Sequence, residues 1–201
     1  MSPSGRARKS APGGLPANAY GVCASAVGTS QSGVAIASNE QTSDAGSDGA
    51  APKHARAYSS LGFKIGSAFD EGRDGPGGWW ILDEPELHLD ADIVVPDLAG
   101  WRRERMPKLP ETAWFALAPD WICEILSPST ARVDRAEKLP LYARHGVVHA
   151  WLIDPELRTL EVFENRGDGH WLLLTVLEGE ASVSQPPFAA IAFDLSGLWA
   201  D

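Results

Sequence analysis

Leu89-Asp90-Ala91-Asp92-Ile93-Val94-Val95-Pro96-Asp97 and Trp121-Ile122-Cys123-Glu124-Ile125-Leu126 are the two stretches on which the reading of this chain turns. Each is apolar enough to be a β-strand, and each carries an acid. A carboxylate inside an apolar strand is costly unless it is paired or holds a metal ion. In the first stretch Leu87, Leu89, Ala91, Ile93, Val95 and Asp97 alternate, which predicts one continuous strand with Asp97 ending its apolar face. The second is apolar on both faces apart from Glu124, the pattern of a central strand.

Working outward, Ser127-Pro128-Ser129 stops the second strand and a helix follows. Asp134 and Glu137 have the spacing of a capping box, Pro140 predicts an irregular first turn, and Gly146 ends the helix. Lys138 shares a helical stripe with Leu141, Tyr142 and His145, so it is expected to point toward the sheet. Strands are predicted over Val147 to Asp154, Thr159 to Glu164 and Trp171 to Leu177, punctuated by Asp154-Pro155 and Gly167-Asp168-Gly169. Upstream, His54 to Phe69 reads as a helix with Tyr58, Leu61, Ile65 and Phe69 near one face, and Gly62 and Gly66 as weak or closely packed points. Trp79 to Leu82 reads as a short strand. Trp101 to Pro110, with Arg102, Arg103, Arg105 and Lys108, reads as an exposed loop or short helix.

Residues 1–52 differ from the rest. They are rich in Gly, Ala, Ser, Thr and Pro and lack periodic apolar patterning, apart from a weak strand candidate at Gly21 to Val27. Such a composition buries too little to offset ordering entropy, so this segment is expected to be poorly ordered, with one α/β domain over 53–201.

The 201 residues and 44% hydrophobic content suit one packed domain with extra length. A net charge of −10 argues against broad nonspecific nucleic-acid binding. The charge is uneven, though. Trp101 to Gly146 holds eight Lys+Arg against six Asp+Glu, while Asp83 to Asp97 holds six acids and no base. Two unrelated cysteines, Cys23 and Cys123, fit reduced thiols and a cytoplasmic setting. No run of 18 apolar residues and no apolar region after Arg6, Arg8 and Lys9 speak against a membrane span and a signal peptide.

Two carboxylates and a lysine are the parts that metal-assisted phosphodiester hydrolysis needs. Simpler readings stand beside this one. Asp97 could cap the turn after its strand. Glu124 could form a buried ion pair, Lys138 being the nearest partner by pattern. Lys138 could pair with Asp134 four positions earlier. His54 reads as a helix-start or packing residue, and Tyr142 and His145 as parts of a helix face.

Val95-Pro96-Asp97-Leu98, Pro119 to Ser129, Lys138, Tyr142, Gly146-Val147 and Trp151-Leu152-Ile153-Asp154-Pro155 together resemble the signature of the Uma-two family, endonucleases of the restriction-endonuclease-like PD-(D/E)XK fold. The resemblance spans roughly His54 to Trp199. It implies an α/β domain with a mixed β-sheet flanked by helices, DNA as substrate, and a divalent metal, Mg²⁺ by default with Mn²⁺ as the alternative. Asp97 and Glu124, with the Ile125 carbonyl, would be the metal ligands. Where the wider superfamily has a lysine two residues after the second acid this chain has Leu126, so Lys138 takes that role from the helix. A homodimer is compatible with such a fold, since two cuts need two sites, and no segment of the sequence specifies an interface. The family's early Glu-bearing strand has no counterpart in the sequence pattern. One hypothesis is that residues 1 to about 50 come from an altered reading frame or a misassigned start; a native N-terminal peptide from this region in mass spectrometry would refute it. Two other functions remain open: an inert binding or structural module of the same fold, and a metal hydrolase acting on a small phosphorylated molecule.

Overall fold

Alternating burial along Trp121–Ile125 sets the two layers of the molecule. Trp121, Cys123 and Ile125 pack into one apolar cluster, Ile122 and Leu126 into another on the opposite face, and both clusters are closed off from solvent. The structure is a computed structural model and describes residues 35–36 and 50–199, which fall in a compact unit running from Gln31 to Asp201. The strand candidate at Gly21 to Val27 lies outside the described residues.

In chain order, a two-residue strand β1 (Ala35–Ile36) precedes helix α1 (Ala50–Ile65), which ends in a wide π-type turn over Gly66–Asp70. Strands β2 (Trp79–Asp83), β3 (Leu87–Leu89), β4 (Asp92–Val94), β5 (Leu98–Arg102) and β6 (Trp121–Ile125) follow. One irregular helix then crosses over. Its parts are α2 (Ala131–Val133), a second π-type turn over Asp134–Lys138, and α3 (Leu139–Arg144). Strands β7 (His149–Asp154), β8 (Thr159–Asn165), β9 (Trp171–Glu178), β10 (Ser182–Val183) and β11 (Phe193–Asp194) complete the described chain.

Six strands form the main sheet in the order β2-β5-β6-β7-β8-β9. All neighbours are antiparallel except β6 and β7, which run parallel because the helical crossover returns the chain to the same end of the sheet. Helix α1 packs on one face through Ala57, Leu61 and Ile65, and Tyr58 leans against the same cluster. The opposite face is covered by Leu139, Leu141 and Tyr142 from the crossover helix and by Leu87, Leu89 and Val94.

Three sequence expectations need correction. The continuous strand from Leu87 to Asp97 is broken into a hairpin. Asp90 adopts φ 55°, a conformation that Asp tolerates better than most residues, and the chain reverses so that Leu87 pairs with Val94 and Leu89 with Asp92. Directly opposed residues share a face, so Val94 is buried and Ile93 is exposed, the reverse of what simple alternation gives. The stretch from Trp101 is not an exposed loop at its start. Trp101 lies in β5, fully buried, with its indole N–H donating to the Leu117 carbonyl at 2.8 Å. Asp134 does not cap the helix. Thr130 occupies the N-cap, and Asp134 lies one turn inside, buried. The predicted irregularity before Pro140 takes the form of the π-type turn. A proline ring collides with the carbonyl four residues back in a regular α-helix, and a widened turn relieves that collision.

Gly62 is not required by space. A Cβ there would sit 3.7 Å from Asp83 Oδ1 and from a Leu98 methyl, ordinary van der Waals distance. Gly62→Ala is therefore expected to stabilise the protein by about 0.5–1 kcal/mol through helix propensity. A shift of the urea midpoint to lower concentration would show that α1 needs the gap.

Candidate active site

Strands β5 and β6 bring the two acids together. Leu98 pairs with Cys123 in the antiparallel ladder, and one further step sets Asp97 opposite Glu124. The ladder stops there because Asp97 replaces the backbone bond with its own side chain. Its Oδ2 accepts the Ile125 N–H at 2.5 Å, while His54 Nε2 of α1 stands 3.6 Å from Oδ1. A strand residue points its N–H and C=O toward the same edge. The Ile125 carbonyl therefore faces the Asp97 side, whereas the Leu126 N–H points the other way, to Ile153 of β7.

Glu124 projects into the face covered by the crossover helix and is 1% exposed. Both of its oxygens are engaged. Lys138 Nζ donates to Oε2 at 3.0 Å, and the Tyr142 hydroxyl donates to Oε1 at 2.6 Å. Lys138 also lies 3.0 Å from Asp134 Oδ1 and donates to the Val95 carbonyl at 3.3 Å. Asp134 and Lys138, four positions apart, lie side by side in the π-type turn under the sheet, where both are 2% exposed.

This is a buried cluster with more acid than base. Asp97, Glu124 and Asp134 face one lysine, with His54 at the margin. Burial pushes the Glu124 carboxyl up to about 8; Lys138 and the Tyr142 hydroxyl oppose this, while the charges of Asp97 and Asp134 add to it. Burial would lower the Lys138 ammonium, but Glu124 and Asp134 outweigh it and hold the group above its ordinary range. Burial, then the charge of Glu124, raise the Tyr142 phenol well above its usual value, so it acts as a donor.

The donor chemistry fits a hard divalent cation. Two carboxylates and a backbone carbonyl are oxygen ligands of the kind such ions take, and the buried excess of acid is what a cation would neutralise. Among the described residues, no group of three or more His, Cys, Asp or Glu side chains is arranged to hold a metal. The candidate set is smaller than that, two carboxylates and one carbonyl. Binding through Glu124 would require one of its oxygens to part from Lys138 or Tyr142.

The structure thus brings Asp97, Glu124, Ile125 and Lys138 into one place. The ion pairs of Lys138 with Glu124 and with Asp134, each read as an alternative from the sequence, both form. Three neighbours were not singled out as site residues. Tyr142 and Asp134 lie four positions either side of Lys138, a spacing that could have revealed them. His54 reaches Asp97 from 43 positions away, and no local pattern signals that.

Residues 47–196 match the model of a family described as "Putative restriction endonuclease". The chain belongs to this family, Uma2. A solved structure from Anabaena variabilis ATCC 29413, described as "a putative nuclease belonging to DUF820", is 25% identical, with a TM-score of 0.59 over 73% of this chain and 79% of that one. No curated protein matches the chain. Together with the mixed six-stranded sheet, these findings establish a restriction-endonuclease-like α/β fold. They also place this Uma2 member in a nuclease family of a superfamily that generally uses divalent metals.

Proposed function

We propose that this protein is a metal-dependent endonuclease that hydrolyses DNA phosphodiester bonds at the Asp97–Glu124 pair. The observation that carries the reading is the position of Glu124, a carboxylate buried in a central strand, opposite Asp97 and against Lys138. Asp97, Glu124 and the Ile125 carbonyl would hold Mg²⁺ or Mn²⁺. A bound divalent ion polarises a phosphate oxygen and lowers the pKa of a bound water.

The chain's own groups do the rest. The Ile125 N–H fixes one Asp97 oxygen and leaves the other facing His54. Tyr142 fixes Glu124 Oε1. Lys138 keeps its proton between two carboxylates, so it serves as a donor that orients the attacking water or offsets charge developing on the phosphate.

A second reading has one specific observation in its favour: both Glu124 oxygens are occupied by protein donors. A catalytically inert binding module of the same fold would look like this. The deciding experiment incubates purified protein with supercoiled and with single-stranded DNA in Mg²⁺ or Mn²⁺, with a chelator as control. Cleavage that requires the metal and is lost in Asp97→Ala and Glu124→Ala supports the nuclease. Cleavage retained by both variants rejects the site. Salt-sensitive DNA binding without cleavage favours the inert module, and absence of DNA binding favours a small phosphorylated substrate.

A further inference from the structure

The Lys138 ammonium has three protons to give, and the cluster around it offers three acceptors. It donates to Glu124 Oε2 at 3.0 Å and to the Val95 carbonyl at 3.3 Å. Asp134 Oδ1 also stands 3.0 Å from Nζ, yet among the described residues this oxygen accepts no aligned hydrogen bond. A buried carboxylate oxygen in that state is costly, because it has given up water without gaining a donor. Asp134 is 2% exposed, so water does not make good the loss. Glu124 has to release one of its two donors to hold a cation, and the two are not equal. The Tyr142 hydroxyl makes its one hydrogen bond among the described residues to Oε1, at 2.6 Å, and the ring is fully buried. Parting it from Oε1 would strand a buried hydroxyl. Lys138 loses less by leaving Oε2, because the Val95 carbonyl and Asp134 Oδ1 are already within reach of Nζ. Asp134 also offers what a carbonyl cannot, a full negative charge beside an ammonium that a divalent cation would repel.

We propose that Asp134 is the second seat of Lys138: the ammonium rests on Glu124 in the absence of a divalent cation and turns onto Asp134 Oδ1 when a cation takes Glu124 Oε2. On the metal-dependent reading of the Asp97–Glu124 pair, on which this rests, Asp134 is a positioning residue for Lys138. The turn is small, since Nζ already lies 3.0 Å from each carboxylate oxygen. With Asp134 and Val95 holding two N–H groups, the third is released from Glu124 and becomes available to a water or phosphate oxygen. Glu124 can then be saturated by protein donors in the metal-free chain and still accept an ion, without leaving a buried ammonium unpaired.

The test uses the full chain and Mn²⁺ alone as the probe. Crystal structures of the wild type grown in chelator and in Mn²⁺ are expected to differ at Nζ, bonded to Glu124 Oε2 in the first and aligned on Asp134 Oδ1 in the second. Asp134→Asn keeps the side-chain shape and removes the charge. It is expected to weaken Mn²⁺ binding in calorimetry by about 10-fold or more, the usual cost of losing a group that orients a metal site from behind. DNA cleavage by this variant should stay at least about 10-fold below the wild type even at saturating Mn²⁺. A carboxylate that only attracts the cation would affect binding alone, and saturation would restore the rate. Far-UV circular dichroism in chelator checks that the variant is folded; if it is not, the two wild-type structures decide. Mn²⁺ seated on Glu124 with the Lys138–Oε2 contact intact, or a rate fully restored by saturation in Asp134→Asn, would overturn the proposal and leave the nuclease site standing. Mn²⁺ bound away from Glu124 in the wild type would overturn both.

Discussion

Lys138→Met is expected to destabilise the fold by about 3–5 kcal/mol at pH 8, the range for removing one partner of a buried ion pair. The reason lies in what it leaves behind. Glu124 and Asp134 would remain under the sheet, 1% and 2% exposed, with the only buried cation of the cluster gone. The loss should shrink toward pH 5, because carboxyls that cannot be paired are relieved by taking up a proton. The wild type carries the same signature in weaker form. The Glu124 carboxyl is raised to about 8 in the folded state from a reference value of 4.5, so between these values the folded chain holds a proton that the unfolded chain has released. Stability from this group is complete below about 4.5 and is lost as pH rises toward 8. Urea titrations in chelator at pH 5 and pH 8 check both statements. Combining Lys138→Met with Glu124→Gln should recover part of the loss, since Gln brings no charge and can still accept from Tyr142. Equal destabilisation at both pH values, with no recovery in the double variant, would mean that Lys138 acts by packing rather than by charge.

The same cluster explains why some of the molecule could be read from the sequence and some could not. The Glu124 strand was legible because a central strand buries both faces and leaves a run of apolar residues that only a functional or paired acid interrupts. Lys138 was legible because helical spacing survives even through an irregular turn. The β3–β4 hairpin was not. The period-2 pattern from Leu87 to Asp97 is compatible with one strand, and the reversal depends on a single residue, Asp90, at φ 55°. The strand that carries Trp101 was missed because the three arginines close behind it suggested a loop, and each arginine is held by a neighbour. Arg102 lies over the Trp79 ring at 4.8 Å, Arg103 over Trp80 at 3.9 Å, and Arg105 pairs with Asp120 at 2.7 Å. Arg102 and Arg105 are themselves exposed and Arg103 is half-buried, so the charges mark where β5 emerges to solvent and hide the buried strand just before them. The contact of His54 with Asp97 was beyond reach for a different reason: it depends on how α1 docks against the strand ends, a tertiary fact with no local period.

Asp97→Asn and Glu124→Gln are each expected to cut metal-dependent DNA cleavage by about 10³-fold or more, close to 4 kcal/mol of transition-state stabilisation. These changes keep the side-chain shapes and remove the charges, so they separate chemistry from folding. Asn at 97 can still accept the Ile125 N–H through its amide oxygen, and Gln at 124 can still accept from Tyr142. Glu124→Gln should keep the wild-type melting temperature in chelator or exceed it, because the wild-type fold carries the burden of a buried excess of acid. Thermal shift with added Mn²⁺ supplies a readout that needs no turnover, since a ligand bound only by the folded state raises its stability with concentration. The wild type should be stabilised by Mn²⁺, and both variants should respond much less. Stabilisation without cleavage would leave a metal-binding module that lacks the reaction. Unchanged stabilisation in both variants would put the ion elsewhere, and the paired acids of β5 and β6 would then be a charge cluster held for the fold alone.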